Sequence, residues 1–161
     1  MTGGYDTVVV GLGNVVLSDD GLGVHVVRRL RAGNRLGDRV ELVEGGTAGL
    51  LLLPHLADAR RVIIVDAIDT GAPVGTLVRL AGEDSWRAFA LHLTPHDVGL
   101  RDLLGAARLS GVWPSQLVLH GAQPAHTEIG TTLSEPLAAA LDPLVNAVLD
   151  DLAAWEAYAC A

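Results

Sequence analysis

Six histidines, nineteen carboxylates and a single cysteine are the main groups in this chain able to bind a metal or carry a proton near neutral pH. Three of them stand where such chemistry is commonly sited. Asp66 closes the apolar run Val62-Ile63-Ile64-Val65, which puts it at the rim of a core, where an ionised carboxylate is costly without a partner or a metal. Asp20, next to Asp19, opens a segment with helical spacing, and the positive end of a helix dipole keeps a carboxylate ionised. His96 follows Thr94-Pro95, a capping residue and a proline suited to the first helical position. It therefore falls in a first turn, where the dipole disfavours imidazolium and leaves a ring nitrogen for a ligand.

If the three converge, they form an oxygen, oxygen, nitrogen site with open positions, which suits nickel or zinc better than magnesium or a soft ion. Each residue also has a bland reading. Asp19 and Asp20 fit as helix caps, Asp66 as a turn residue, and His96 as a neutral histidine packed at a helix start. His92 lies four residues before His96, but Pro95 between them argues against a continuous helix that would pair them. His25, His55, His120 and His126 read as packing or surface residues.

Composition removes several classes of function. A net charge of -8 leaves little for nucleic acid or an anionic membrane to attract. All eleven cations are arginine, which excludes Schiff-base, Walker-lysine and serine-lysine chemistry. The lone cysteine, Cys160, excludes a disulfide framework and a thiolate cluster. Gly11-Leu12-Gly13 starts like a dinucleotide fingerprint, but Val16 stands where the third glycine is needed. Ahead of the first apolar run there is no cationic region, and no stretch reaches the roughly 18 apolar residues of a membrane span. A cytoplasmic protein without membrane insertion is expected.

The elements that must position the candidates follow from periodicity. Asp6 to Leu12, without polar alternation, reads as a strand buried on both faces. Ser18 to Ala32 reads as a helix capped by Ser18. Arg39 to Val43 is a second strand, with Glu44 to Gly49 as its loop and a short helix over Leu50 to Ala57. Further strands are expected at Arg61 to Val65, Thr76 to Leu80 and Gln116 to His120. Helices are expected from Thr94 to about Leu109, and from Ser134-Glu135-Pro136 to about Tyr158, again with a capping serine. With 161 residues, this order predicts one domain: an α/β, three-layer α/β/α sandwich around a mostly parallel twisted five-stranded sheet. Ligands of such sheets bind beyond the carboxyl ends of the strands.

The segments GLGNVVLSDDGLGVHVV (11–27), EGGTAG (44–49), VIIVDAID (62–69) and TPHDVGL (94–100), in that order, resemble the hydrogenase maturation endopeptidases. The resemblance runs from about Val8 to at least Pro124. It implies a peptidase that trims the C-terminus of the nickel-loaded large-subunit precursor of a nickel-iron hydrogenase. Asp20, Asp66 and His96 would be its metal-binding and catalytic residues, with Gly45, Gly46 and Thr47 in the substrate-binding loop. The nickel would arrive with the precursor, and zinc or cadmium can take its place in a crystal. Asp20 stands where the family commonly has Glu, and Glu44 where Asp is usual. The precursor is the expected partner, and no serine or cysteine nucleophile is evident. A non-enzymatic nickel-sensing chaperone or checkpoint for the immature subunit is the alternative.

Overall fold

The computed structural model describes residues 5–33, 36–83, 86–87 and 98–159. Its strands are β1 (Thr7–Leu12), β2 (Val40–Gly46), β3 (Arg61–Ala67), β4 (Leu77–Ala81) and β5 (Gln116–Ala122). Its helices are α1 (Leu22–Gly33), α2 (Leu53–Ala57), α3 (Val98–Leu109) and α4 (Glu135–Ala159), with single 3-10 turns at Ser18–Gly21 and Gly49–Leu52 leading into α1 and α2. The part of the expected third helix before Val98, His96 included, lies outside the described residues.

The sheet order is β2-β1-β3-β5-β4, parallel except for β4, which runs antiparallel to β5 at the edge. The apolar strands have no polar face because neither face meets water. Val8, Val10, Val62 and Ile64 pack beneath α2 and α3 with Leu56, Leu103 and Leu119. Val9, Ile63 and Val65 pack on the other side with Leu22, Val26 and Leu30 of α1 and Leu137, Leu144 and Val148 of α4. Burying each such side chain contributes about 1.5–3 kcal/mol, so the two apolar layers hold the sheet between them. The expected three-layer α/β fold is the observed one.

Several boundaries differ from expectation: α1 begins at Leu22 after a 3-10 turn instead of at Ser18, β5 runs on to Ala122, and two differences bear on the site. The second strand runs through Glu44 to Gly46 instead of ending at Val43, because Leu12 pairs with Gly46 across a register shift after Gly11. Asp66 lies within the strand ladder, paired with Gly121 of β5, where a turn had been one reading. From β1 the chain passes through α1 to β2 on one side; from β2 it returns across β1 to β3 on the other. The carboxyl ends of β1 and β3 thus form the sheet's switch point, where the crevice opens.

Candidate active site

At that switch point lies a cleft of about 130 Å³, lined by Leu12, Gly13, Asp20, Gly46, Thr47, Gly49, Asp66, Gly99 and Leu100. Asp66 reaches it from the end of β3 and is 9% exposed, with its Oδ1 accepting a hydrogen bond of 2.8 Å from the Ala67 amide. Asp20 reaches it from the 3-10 turn before α1, its Oδ2 accepting 2.8 Å from the Asn14 amide. Gly13, at a φ of 107°, lies against the Asp20 backbone and the Asp66 carboxylate. A Cβ there would stand 1.6 Å from the Asp20 carbonyl oxygen and 3.5 Å from Asp66 Oδ1. Only glycine lets the β1 end and the 3-10 turn close up so far.

The glycine-rich segment divides. Gly46 and Thr47 face the cleft. Gly45 faces the core, where a Cβ would press on Val10 Cγ1 at 2.8 Å and Leu52 Cδ1 at 2.9 Å. Gly49 and Gly99 meet across the opposite wall, with a Cβ on Gly49 only 3.7 Å from the Gly99 Cα.

Asp19 and Asp20, adjacent in sequence, do different work. Asp19 is fully buried. Its Oδ1 accepts 2.6 Å from the Ser134 amide, and its Oδ2 accepts from Ala125 N at 2.9 Å, Ser134 Oγ at 2.8 Å and, more weakly, His126 N at 3.4 Å. Burial pushes this carboxyl up, but the bonds from Ser134, Ala125 and His126 outweigh it and hold Asp19 below the usual carboxylate range. The loop after β5 is thereby fixed to the turn that carries Asp20. The expected caps are corrected here. Ser18 has a φ of 50° and donates its hydroxyl to the Glu128 carbonyl at 2.9 Å instead of capping α1. Ser134 donates its hydroxyl to Asp19 instead of accepting a bond from a helix amide. Sequence reasoning missed Asn14, Ser134 and the Gly99-Leu100 wall. Asn14 sits inside a recognised motif, whereas nothing local to Ser134 announces a partner 115 residues away.

Glu44 turns away to accept 3.1 Å from Arg28 Nε and a second bond from Arg31, tying β2 to α1. Those arginines hold its carboxyl below the usual range. His120 is buried with Nε2 2.6 Å from Asp151 Oδ2, and His55 Nδ1 lies 3.1 Å from Glu41 Oε2. Both fit the packing and surface roles expected of them. Among the described residues no group of three or more His, Cys, Asp and Glu could hold a metal. What the described cleft presents is the Asp20-Asp66 pair, two anionic oxygen donors on a wall otherwise made of small and apolar residues. That donor chemistry fits a divalent ion with open positions.

A model of the hydrogenase maturation protease family matches residues 24–151 of this chain. Over 150 residues the chain is 38% identical to the hydrogenase expression/formation protein HupD of Rhodobacter capsulatus, covering 91% of this chain and 71% of that protein. Over 143 residues it is 38% identical to the hydrogenase 2 maturation protease of Escherichia coli, covering 88% of this chain and 87% of the relative. Among solved structures, the hydrogenase maturating endopeptidase HybD from E. coli superposes with a TM-score of 0.83 at 36% identity, covering 91% of each chain.

Proposed function

This chain belongs to the hydrogenase maturation protease family, whose members are peptide-bond hydrolases, and on that premise we propose that it cuts a C-terminal peptide from the nickel-loaded large-subunit precursor of a nickel-iron hydrogenase. One observation supports the assignment most: Asp20 and Asp66, carried by different elements, open onto one cleft at the switch point. Nickel is cargo of the precursor in this reading. Asp20, Asp66 and His96 are the residues that meet it, and the ion both identifies a correctly filled substrate and polarises the groups around it.

The chain's own part is to place the substrate and to handle a proton. Gly46, Gly49 and Gly99 carry no side chain, so an extended segment can lie close against the cleft wall. Thr47, exposed on that wall, offers it a hydroxyl. Asp20 or Asp66 takes the proton from the attacking water, and that proton passes to the amine released from the scissile bond. Hydrolysis in this scheme needs no side-chain nucleophile. We place the reaction in the cytoplasm; no helix among the described residues is long and apolar enough to cross a membrane.

The test is incubation of the purified protein with nickel-loaded and nickel-free precursor, read by intact mass. Shortening of the nickel-loaded form alone is expected. Equal cleavage of both forms would overturn the nickel requirement. Complex formation without any change in mass would favour the non-enzymatic checkpoint instead.

A further inference from the structure

The cleft opens on a face unlike the rest of the surface. Among the described residues, Val16, Leu50, Leu51, Val74 and Ile129, five of the eight large hydrophobic side chains exposed to solvent, lie on segments that follow the strands at this edge, and four of them flank the cleft. They form two ledges. Leu50 and Leu51, the latter 81% exposed, project from the 3-10 turn after Gly49, on the α2/α3 side of the cleft. Val16 and Ile129, the latter 92% exposed, stand on the α1/α4 side. The second ledge is rigidly held. Gly130 N donates to the Val16 carbonyl at 3.0 Å, Ser18 N donates to the Gly130 carbonyl at 2.8 Å, and Ser18 Oγ holds the Glu128 carbonyl. These bonds bring the segments of Val16 and Ile129 together, and exposed apolar side chains that are clustered, unlike single ones, mark a contact surface.

Charge adds a second constraint. The same edge carries the carboxylates Asp20, Asp66, Asp69 and Glu128. Across residues 13–21, 47–51, 68–76, 98–101 and 123–134, Arg101 is the only arginine. Arg39, Arg60, Arg61 and Arg108 all lie at the opposite edge, where the parallel strands begin and α3 ends. A second copy of this chain would bring like charges together if it docked by the same face.

We infer that this rim, two apolar ledges in an acidic face, docks a folded surface of the precursor protein that presents apolar side chains among basic ones, beyond the peptide that enters the cleft. The inference rests on the function proposed above. Its test uses nickel-loaded large-subunit precursor with wild type and the variants Leu51→Ser, Ile129→Ser, Glu128→Arg and Leu109→Ser. All four altered side chains are exposed, so the variants should fold.

Each of the three rim variants is expected to raise KM about tenfold with kcat changed less than about twofold, the signature of lost uniform binding. Leu109→Ser, at the opposite edge, should leave KM as it is. Added salt should raise KM for wild type and do so less for Glu128→Arg. If wild type cleaves the precursor and the rim variants keep its KM, the docking surface is wrong and the proposed function stands. If wild type neither binds nor cleaves the precursor, both fall. A concentration-dependent dimer that the rim variants abolish would assign the face to a second copy and overturn the inference.

Discussion

Replacing Asp19 by asparagine keeps the volume of the side chain and removes its charge, so it isolates what the buried carboxylate does. One oxygen of the amide can still accept from Ser134 N. The amino group then points at Ala125 N and His126 N, two donors facing a donor, while the Ser134 hydroxyl can rotate to accept. The loss is the bonds of the Ala125 and His126 amides to a charged acceptor, about 1–3 kcal/mol with water partly replacing them at these exposed residues, plus the weakening of the remaining bonds from charge-assisted to neutral, about 1 kcal/mol. The sum is about 2–4 kcal/mol. For a chain of this size that lowers Tm by about 6–12 °C. The carboxyl's folded pKa lies below its ordinary 3.8, so its contribution is present above that ordinary value and is lost as pH falls through the folded one. The difference between wild type and Asp19→Asn in thermal scans should therefore be full at pH 7 and shrink below about pH 4. A variant that melts within about 2 °C of wild type at pH 7 would refute the assignment of Asp19 as the clamp between the two loops.

Three further outcomes follow, the first from the proposed function and the others from the geometry. Asp66→Asn, Asp20→Ala and His96→Ala should each lower precursor cleavage at least about a hundredfold, with circular dichroism unchanged; full activity in all three would remove the site. Gly23→Ala would place a Cβ 2.1 Å from the Val65 carbonyl oxygen and 2.5 Å from that of Leu12, so urea unfolding should show a loss of about 3 kcal/mol, whereas a loss below about 1 kcal/mol would mean that α1 can slide. Burial pushes His120 below its ordinary 6.5 in spite of the Asp151 carboxylate beside it, so stability should decline as pH drops from that value through the lowered one, and His120→Gln should flatten that decline in thermal scans between pH 7 and 5.

The layer order could be read in the chain because valine and isoleucine runs without a polar face leave β1 and β3 one arrangement, covered on both sides. What could not be read depended on distant partners. Glu44-Gly45-Gly46 looks like a turn by residue type, yet the end of β1 draws it into the ladder by pairing Leu12 with Gly46. Ser18 has the chemistry of a cap, but hydrogen bonds to Gly130 and Glu128, more than a hundred residues on, pull its backbone to a positive φ and engage its hydroxyl. Asp20 and Asp66 were legible as candidates because each ends or opens an apolar element. Their shared cleft was not, since it depends on where the strand order reverses and on Gly13 letting the two loops close.

The Asp19-Asp20 pair shows how the fold gives two adjacent carboxylates different surroundings. Two adjacent acids at a helix entrance would ordinarily share one environment and one role. Here the 3-10 turn directs Asp19 inward to several hydrogen-bond donors, which stabilises its charge and anchors the turn, while Asp20 is left a single backbone bond among the described residues and an opening onto the cleft. A carboxylate surrounded by donors is a poor proton acceptor and a poor ligand, because its lone pairs are already engaged. The satisfied member of the pair supplies the rigidity, and the less satisfied one is available to an incoming ion or water. Exchanging the roles, by moving the donors to Asp20, would leave the fold its clamp but take from the cleft the carboxylate that the proposed function assigns to the ion.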